Sequence, residues 1–182
     1  KRLLIIQPGG CNWSGSSLFV PMAFSTNEGQ VTLSVGVING PTNIDNGVGA
    51  HEFIHLFGIL HANYLDCGTQ QYSSVGCSSL AYLDMFDIMG AYFTKGFLNS
   101  FHLKKLNWFS SQNLAVVPTQ LLNERIYTIY PIEVNTSGIK ALEIPINSGF
   151  SYFVEYRRPI SFDRLNSIQR GQEIFDGAMI RI

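Results

Sequence analysis

The chain has 182 residues, of which 46% are hydrophobic and 14% are charged, and its formal net charge is −1. This length fits one or two domains, and the near-zero charge gives no electrostatic reason to expect nucleic acid or an anionic membrane surface as a partner. No run of about 18 apolar residues occurs, so no membrane-spanning helix is predicted. The few charges, with many Ser, Thr, Asn and Gly residues, favour a secreted protein. Nothing in the sequence defines an oligomeric state.

The first forty residues predict strands. Residues 3–7 are an apolar run ended by Pro-Gly-Gly, and residues 19–24 form a second short extended segment. Residues 30–39 alternate Val or Leu with polar or small residues, at the two-residue period of a half-buried strand. Because the chain begins within one strand and ends within another (residues 178–182), we interpret it as a fragment lacking both ends.

The most informative segment is 51–61, which reads His-Glu-Phe-Ile-His-Leu-Phe-Gly-Ile-Leu-His. On a helix predicted over residues 47–57, His51 and His55 are four residues apart and project from one face, so both can bind one metal ion. Glu52 lies beside them, where it can reach a water molecule at the metal rather than the metal itself.

Gly58 and His61 complete this set. A glycine takes a positive φ at little cost, so the helix can end at Gly58 and the chain can turn to bring His61 round as a third nitrogen ligand. Three protein ligands and one open position are typical of a catalytic zinc site, which makes Zn²⁺ the expected cofactor. The five fixed positions of this motif would all be matched by chance, in a chain of this length, on the order of once in 10^5. An amphipathic core helix with buried histidines is the competing interpretation.

The remainder of the chain divides into a long irregular stretch, a helix and several strands. Residues 62–85 predict a loop, and residues 94–108 predict a helix on which His102 is structural or exposed, because no second ligand lies four residues away. β-branched and aromatic segments then predict strands. They lie at residues 125–130, 141–146, 152–156 and 178–182.

Segment 51–61, with residues 61–68, 86–90 (Phe-Asp-Ile-Met-Gly) and 106–108, resembles the metzincin metallopeptidases, and among them the gametolysin-like branch. The resemblance implies an α+β fold: a metzincin-like catalytic domain with a mixed sheet, an active-site helix and a Met turn, in which Met89 lies beneath the metal. We place this domain at residues 1–112 and a small all-β C-terminal segment at residues 113–182.

The same resemblance implies a mechanism and a substrate-binding strand. Glu52 would accept a proton from water and deliver it to the leaving amine. The strand before the active-site helix, residues 31–38, would bind the substrate backbone at its exposed edge; an ordinary internal strand is the alternative. Tyr92, three residues after Met89, is a candidate for an oxyanion or substrate contact, against a default of aromatic packing.

The three cysteines and three aspartates have structural interpretations. Cys67 and Cys77 lie in a loop rich in Gly, Ser and Gln, and in a secreted protein they are expected to form a disulfide. Cys11 would then pair with a missing part of the chain or remain a free buried thiol. Capping of turns is favoured over calcium binding for the aspartates, which have no regular loop pattern. They are Asp66, Asp84 and Asp87.

The leading hypothesis is therefore an extracellular or cell-surface zinc endopeptidase with protein or peptide substrates from the extracellular matrix or the cell wall. A catalytically silent metzincin-like module used for binding or adhesion is the main alternative. A zinc hydrolase acting on a non-protein amide is a third. Side-chain preference at the scissile bond and control by a propeptide are not encoded in any recognisable pattern.

Overall fold

The computed structural model describes residues 1–45, 47–69, 76–90, 95–120, 123–147, 149–164 and 175–181. The chain forms two compact units, residues 1–95 and 96–182. Both units combine β-sheet with short helices, so the α+β class is confirmed. Within these described ranges, no helix is both long and apolar enough to cross a membrane.

The described residues of the first unit form six strands and two helices. They are, in chain order, β1 (Arg2–Gln7), β2 (Gly15–Ser17), β3 (Met22–Thr26), β4 (Gly29–Asn39), α1 (Thr42–Asp45), α2 (Val48–His55), β5 (Tyr64–Asp66) and β6 (Ser78–Leu80).

The main sheet of this unit is built around β4. Strand β1 pairs with it in parallel, β2 pairs with it antiparallel, and β3 forms an antiparallel hairpin with its first half. The strands predicted at residues 3–7 and 30–39 are confirmed. The segment expected at residues 19–24 becomes a strand only at Met22, because the preceding Pro21 has no N–H to donate to a ladder.

Helix α2 packs against the face of β4 that carries small residues. Gly36 and Ile38 are buried on this face, whereas Val35 and Val37 on the opposite face are only half-buried. A Cβ atom on Gly36 would lie 3.3 Å from Leu56 Cδ2, at the end of the helix. Because Gly36 has no side chain, α2 and the histidines on it can approach the sheet closely.

The second unit is a four-stranded sheet with one short α-helix. The sheet order is β7–β8–β9–β10, with β7 and β8 parallel and the other neighbours antiparallel. The elements are α3 (Ser100–Lys105), β7 (Leu114–Val116), β8 (Ala141–Pro145), β9 (Ser151–Tyr156), a one-turn 3-10 helix (Ser161–Asp163) and β10 (Ala178–Arg181).

Three of the four strands predicted in the C-terminal part are confirmed by β8, β9 and β10. The prediction of a strand at residues 125–130 is wrong. The side chain of Ile126 is 97% exposed, and no ladder pairing is formed by this stretch. A composition rich in β-branched and aromatic residues does not form a strand without a neighbouring strand to pack against.

The helix predicted over residues 94–108 is shorter in the structure, where α3 spans Ser100–Lys105. Asn99 is its N-cap, since the Asn99 side chain accepts a hydrogen bond from the His102 backbone N–H at 2.9 Å. At the other end Asn107 has a left-handed φ of 56°, which stops the helix.

The division between the two units lies before α3, earlier than the expected position at residue 112. Helix α3 belongs to the second unit because it packs on β9. The rings of Phe101 and Phe153 are 5.8 Å apart, and the Ser100 backbone N–H donates to the Glu155 carboxylate at 2.7 Å.

A buried ion network holds the second unit together. Arg157, with no exposed side-chain surface, lies 3.0 Å from Glu155 and 3.0 Å from Asp163. Burial opposes ionisation of Glu155, but Arg157 and Arg181 outweigh it and hold the pKa of Glu155 at about 2. Removing one partner of such a network leaves an uncompensated buried charge, so the network is a structural device of this unit.

Replacement of Glu133 by Gln should flatten the pH dependence of stability. Burial and the neighbouring Asp163 raise the pKa of Glu133 from 4.5 to about 8. Between these values the folded state binds more protons than the unfolded state, so the free energy of unfolding falls as pH rises. At pH 9 we expect Glu133→Gln to be more stable than the wild type by about 1 kcal/mol, after allowance for solvent screening.

Urea unfolding of the full chain at pH 5 and at pH 9 measures this difference. Glu124→Gln is the matched control, because Glu124 is exposed. The expectation would be contradicted if the free energy of unfolding fell by the same amount from pH 5 to pH 9 in the wild type and in Glu133→Gln.

Candidate metal centre

Helix α2 carries two of the three predicted ligands into the interior of the first unit. His51 and His55 are 4% and 2% exposed, and Glu52 between them is 6% exposed. The helix ends as expected: Gly58 has a φ of 78°, and its N–H donates to the His55 carbonyl at 2.8 Å. The chain turns there and brings His61 back towards the helix.

The three imidazoles meet at one point. His55 Nε2 lies 3.1 Å from His51 Nε2 and 3.0 Å from His61 Nε2. One nitrogen from each ring lies within 4.8 Å of the other two, which is a set that could hold a metal ion. The sequence therefore predicted correctly which side chains come together.

The protonation of two rings fits a cation at this point. His51 Nδ1 lies 2.7 Å from the Ile88 carbonyl oxygen, and His55 Nδ1 lies 2.6 Å from the Ile59 carbonyl oxygen. A carbonyl can only accept, so each Nδ1 carries the proton and donates it. Each Nε2 then presents a lone pair, and two lone pairs about 3 Å apart repel each other unless a cation lies between them.

His61 is also suited to bind a metal. Burial and the neighbouring His51 lower the pKa of His61 to about 4. Its imidazole is therefore neutral at neutral pH, which is the form that binds a metal ion.

Glu52 lies beside the histidines under strand β2. A Cβ atom on Gly15 would lie 2.6 Å from Glu52 Cγ, so only glycine allows the strand to pass so close. Glu52 Oε2 is buried with no hydrogen-bond partner among the described residues. Burial raises the pKa of Glu52, although the Ser17 hydroxyl and His51 oppose part of the rise. An ionised carboxylate here is a stronger base than one in water.

The segment before and around Met89 is a series of tight turns that contacts the histidine helix. Asp84 Oδ1 accepts from the Phe86 N–H at 3.0 Å, and Asp87 Oδ1 accepts from the Met89 N–H at 2.7 Å. Both aspartates cap turns, as expected. Met89 is fully buried, and its carbonyl accepts from the Ala62 N–H at 3.0 Å, next to the third ligand.

An open cleft of about 480 Å³ surrounds this centre. Among the described residues, those that line it include no lysine or arginine, and Glu52 is their only carboxylate. They are Ser14, Gly15, Ser16, Ser17, Phe19, Val48, His51, Glu52, His55, His61, Tyr82, Leu83 and Gly90.

The expectation that residues 31–38 present an exposed edge to the cleft is wrong. At residues 36–38 both edges of β4 are occupied, by β1 on one side and by β2 on the other. The strand that reaches the cleft is β2, whose Ser17 hydroxyl donates to the Glu52 carbonyl at 3.0 Å. A strand of three residues in a segment rich in Gly and Ser carries no periodic signal from which it could be predicted.

Two aromatic residues of the cleft were not predicted from the sequence. The ring of Phe19 lies 4.7 Å from that of His55, and the ring of Tyr82 lies 3.8 Å from that of His61. Burial and the nearby Glu52 raise the pKa of Tyr82, so its phenol stays protonated at neutral pH. The expected aromatic, Tyr92, lies outside the described residues.

The predicted disulfide between Cys67 and Cys77 is present. It lies beside the paired strands β5 and β6, in which Tyr64 is opposite Leu80. Asp66 Oδ1 accepts from the Gly68 N–H at 2.9 Å, so this aspartate also caps a turn. Cys11 is an exposed free thiol.

No model of a known protein family, no curated protein and no solved structure significantly matches this chain. The geometry of the centre is therefore the basis for assigning a function.

Proposed function

We propose that this chain is a zinc-dependent endopeptidase of the metzincin type. One observation carries the proposal: three imidazole nitrogens converge beside a buried carboxylate in an open cleft. The resemblance of segment 51–61 and of residues 86–90 to metzincins supports the same assignment.

Zinc is the metal that best suits the donors. Zn²⁺ binds neutral imidazole nitrogens, and three protein ligands leave its fourth position open for chemistry. Calcium and magnesium prefer oxygen ligands, whereas Glu52 is the only carboxylate among the described residues that line the cleft. When bound, zinc supplies a Lewis acid that polarises a carbonyl and lowers the pKa of a water molecule.

The side chains of the centre divide the remaining work. The carbonyls of Ile88 and Ile59 orient His51 and His55, so that their Nε2 atoms point inwards. Glu52 accepts a proton from the attacking water as the oxygen–carbon bond forms. It then delivers that proton to the amide nitrogen as the carbon–nitrogen bond breaks. By the resemblance of residues 86–90 to a Met turn, Met89 would lie beneath the metal.

The cleft is suited to uncharged peptide segments. Its lining offers hydroxyl and apolar groups, with no basic side chain to attract an acidic substrate. We propose extracellular proteins as substrates, in the matrix or in a cell wall. The Cys67–Cys77 disulfide supports this location, because such bonds persist in oxidising compartments.

Chelator-sensitive proteolysis is the expected behaviour of the purified chain. With gelatin or casein as substrate, we expect cleavage that a chelator abolishes and added zinc restores, together with about one zinc per chain. Gel electrophoresis of the substrate and elemental analysis of the protein are the measurements.

The other outcomes separate the alternatives. One metal per chain without proteolysis would contradict a peptidase and support the catalytically silent binding module. Hydrolysis of small non-protein amides alone would support the third hypothesis. Absence of bound metal would overturn the centre itself.

A further inference from the structure

The three ligands are not held in the same way. His51 and His55 each have a backbone carbonyl at Nδ1, at 2.7 Å and 2.6 Å. For His61, no hydrogen bond to Nδ1 is found within the described part of the chain. A metal-binding histidine almost always has such an outer partner, which fixes the orientation of its ring. The third ligand therefore needs another constraint.

The ring of Tyr82 contacts the ring of His61 and can supply this constraint. Its centroid lies 3.8 Å from that of the His61 ring, with a tilt of 38°. The other aromatic contacts of His61 are longer, at 4.7 Å to His55, 5.3 Å to His51 and 6.2 Å to Phe19. Among the described residues, Tyr82 has the ring closest to His61 that does not belong to a predicted ligand, and it packs against the imidazole.

The backbone conformation of Tyr82 is energetically unfavourable, which indicates that the surrounding structure holds this residue against His61. Tyr82 has a φ of 61°, in the left-handed region that a bulky side chain seldom adopts. Such a conformation is unfavourable and persists only where the surrounding structure imposes it. The side chain is also 45% exposed, so burial in the core does not explain its position.

The β5–β6 hairpin places the two rings opposite each other. Tyr64 pairs with Leu80 at its base, His61 precedes β5, and Tyr82 follows β6. The Asp84 backbone N–H continues this pairing with a bond of 3.4 Å to the Ala62 carbonyl. The hairpin thus joins the third ligand and the tyrosine in one local unit.

We propose that Tyr82 is a positioning residue for the third ligand, and that stacking of its ring on His61 replaces the missing outer hydrogen bond. The inference rests on the proposed metal centre. It assigns the function to the aromatic face of Tyr82 and not to its hydroxyl. Replacement by Phe should therefore preserve the effect, whereas replacement by Leu should remove it.

Zinc affinity, measured by competition with a chromogenic chelator, tests this assignment without reference to activity. We expect Tyr82→Leu to bind zinc about 10–100-fold more weakly than the wild type, as loss of an outer partner does, and Tyr82→Phe to bind within about twofold. The visible spectrum of the cobalt-substituted protein should change in Tyr82→Leu and stay unchanged in Tyr82→Phe. Tyr64→Leu, the same substitution at an exposed position of the hairpin, should leave affinity unchanged.

A double-mutant cycle with His61→Ala separates positioning from general damage to the fold. In the His61→Ala background, Tyr82→Leu should cause no further loss of affinity, because the ring it positions is absent. An equal loss in both backgrounds, an unchanged affinity in Tyr82→Leu, or an equal loss in Tyr82→Phe would each overturn the inference. If the wild type binds zinc and cleaves protein but the variants give any of these contradicting results, only the positioning role of Tyr82 is wrong. If the wild type binds no metal, the proposed function fails with it.

Discussion

Glu52→Gln is expected to lower kcat/KM by about 10²–10⁴-fold while the protein still binds one zinc per chain. The amide has almost the same shape as the carboxylate, so it should keep the contacts of Glu52 with Gly15 and Ser17. It cannot accept the proton of the attacking water, and this step is where the activity is lost. Cleavage of a fluorogenic peptide and the zinc content of the same sample are the two measurements.

The matched control is Glu28→Gln, in the exposed turn between β3 and β4. It makes the same chemical change at the surface of the same unit and should retain full activity. A Glu52→Gln enzyme with wild-type kcat/KM would exclude Glu52 as the base. Loss of zinc from this variant would instead assign Glu52 a role in assembling the centre.

His55→Ala should abolish high-affinity metal binding and the stability that comes with it. His55 Nε2 lies about 3 Å from both other ligand nitrogens, so its removal leaves two nitrogens without the central member of the set. The loss of affinity should exceed the roughly 10–100-fold caused by removal of an outer partner. Zinc at 1,000 times its Kd stabilises a folded protein by about 4 kcal/mol, and the variant should lose most of this gain.

Thermal unfolding with and without zinc measures that gain as a shift in Tm. His102→Ala provides the comparison, because His102 is a buried histidine of the second unit. Whatever its own stability, His102→Ala should retain the zinc-induced shift. A similar shift in His55→Ala would show that zinc binds elsewhere.

The ligand set could be predicted from the sequence because its geometry is local. Two histidines four residues apart share a helix face wherever the helix forms, and Gly58 needs only its own φ to start the turn to His61. The turns at Asp84 and Asp87 are equally local, since each side chain bonds a backbone N–H two residues ahead.

The walls of the cleft could not be predicted, because they come from segments distant in the chain. The passage of Gly15 over Glu52 depends on the pairing of β2 with β4, and a three-residue strand has too few residues to show a period. The positive φ of Tyr82 contradicts the preference of a bulky residue, so only the folded hairpin can impose it.

The edge of the sheet was misjudged for a related reason. Alternating valines at residues 31–37 indicate a strand, but not whether neighbouring strands cover its edges. The structure places helix α2 on the face with Gly36 and Ile38, where the absence of a side chain at Gly36 leaves room for Leu56 at the end of the helix. Patterns of hydrophobicity report which residues avoid water and not which element covers them.

The bond between Cys67 and Cys77 has a consequence for where the molecule can work. It cross-links the β5–β6 hairpin, in which His61 precedes the first strand and Tyr82 follows the second. In the reducing environment of the cytosol the disulfide would be reduced, and His61 would then be the least firmly held of the three predicted ligands. In the oxidising environment outside the cell the disulfide forms. Under the proposed function, this covalent link would make the peptidase fully active only in an oxidising compartment, which would spare the proteins of the reducing cytosol.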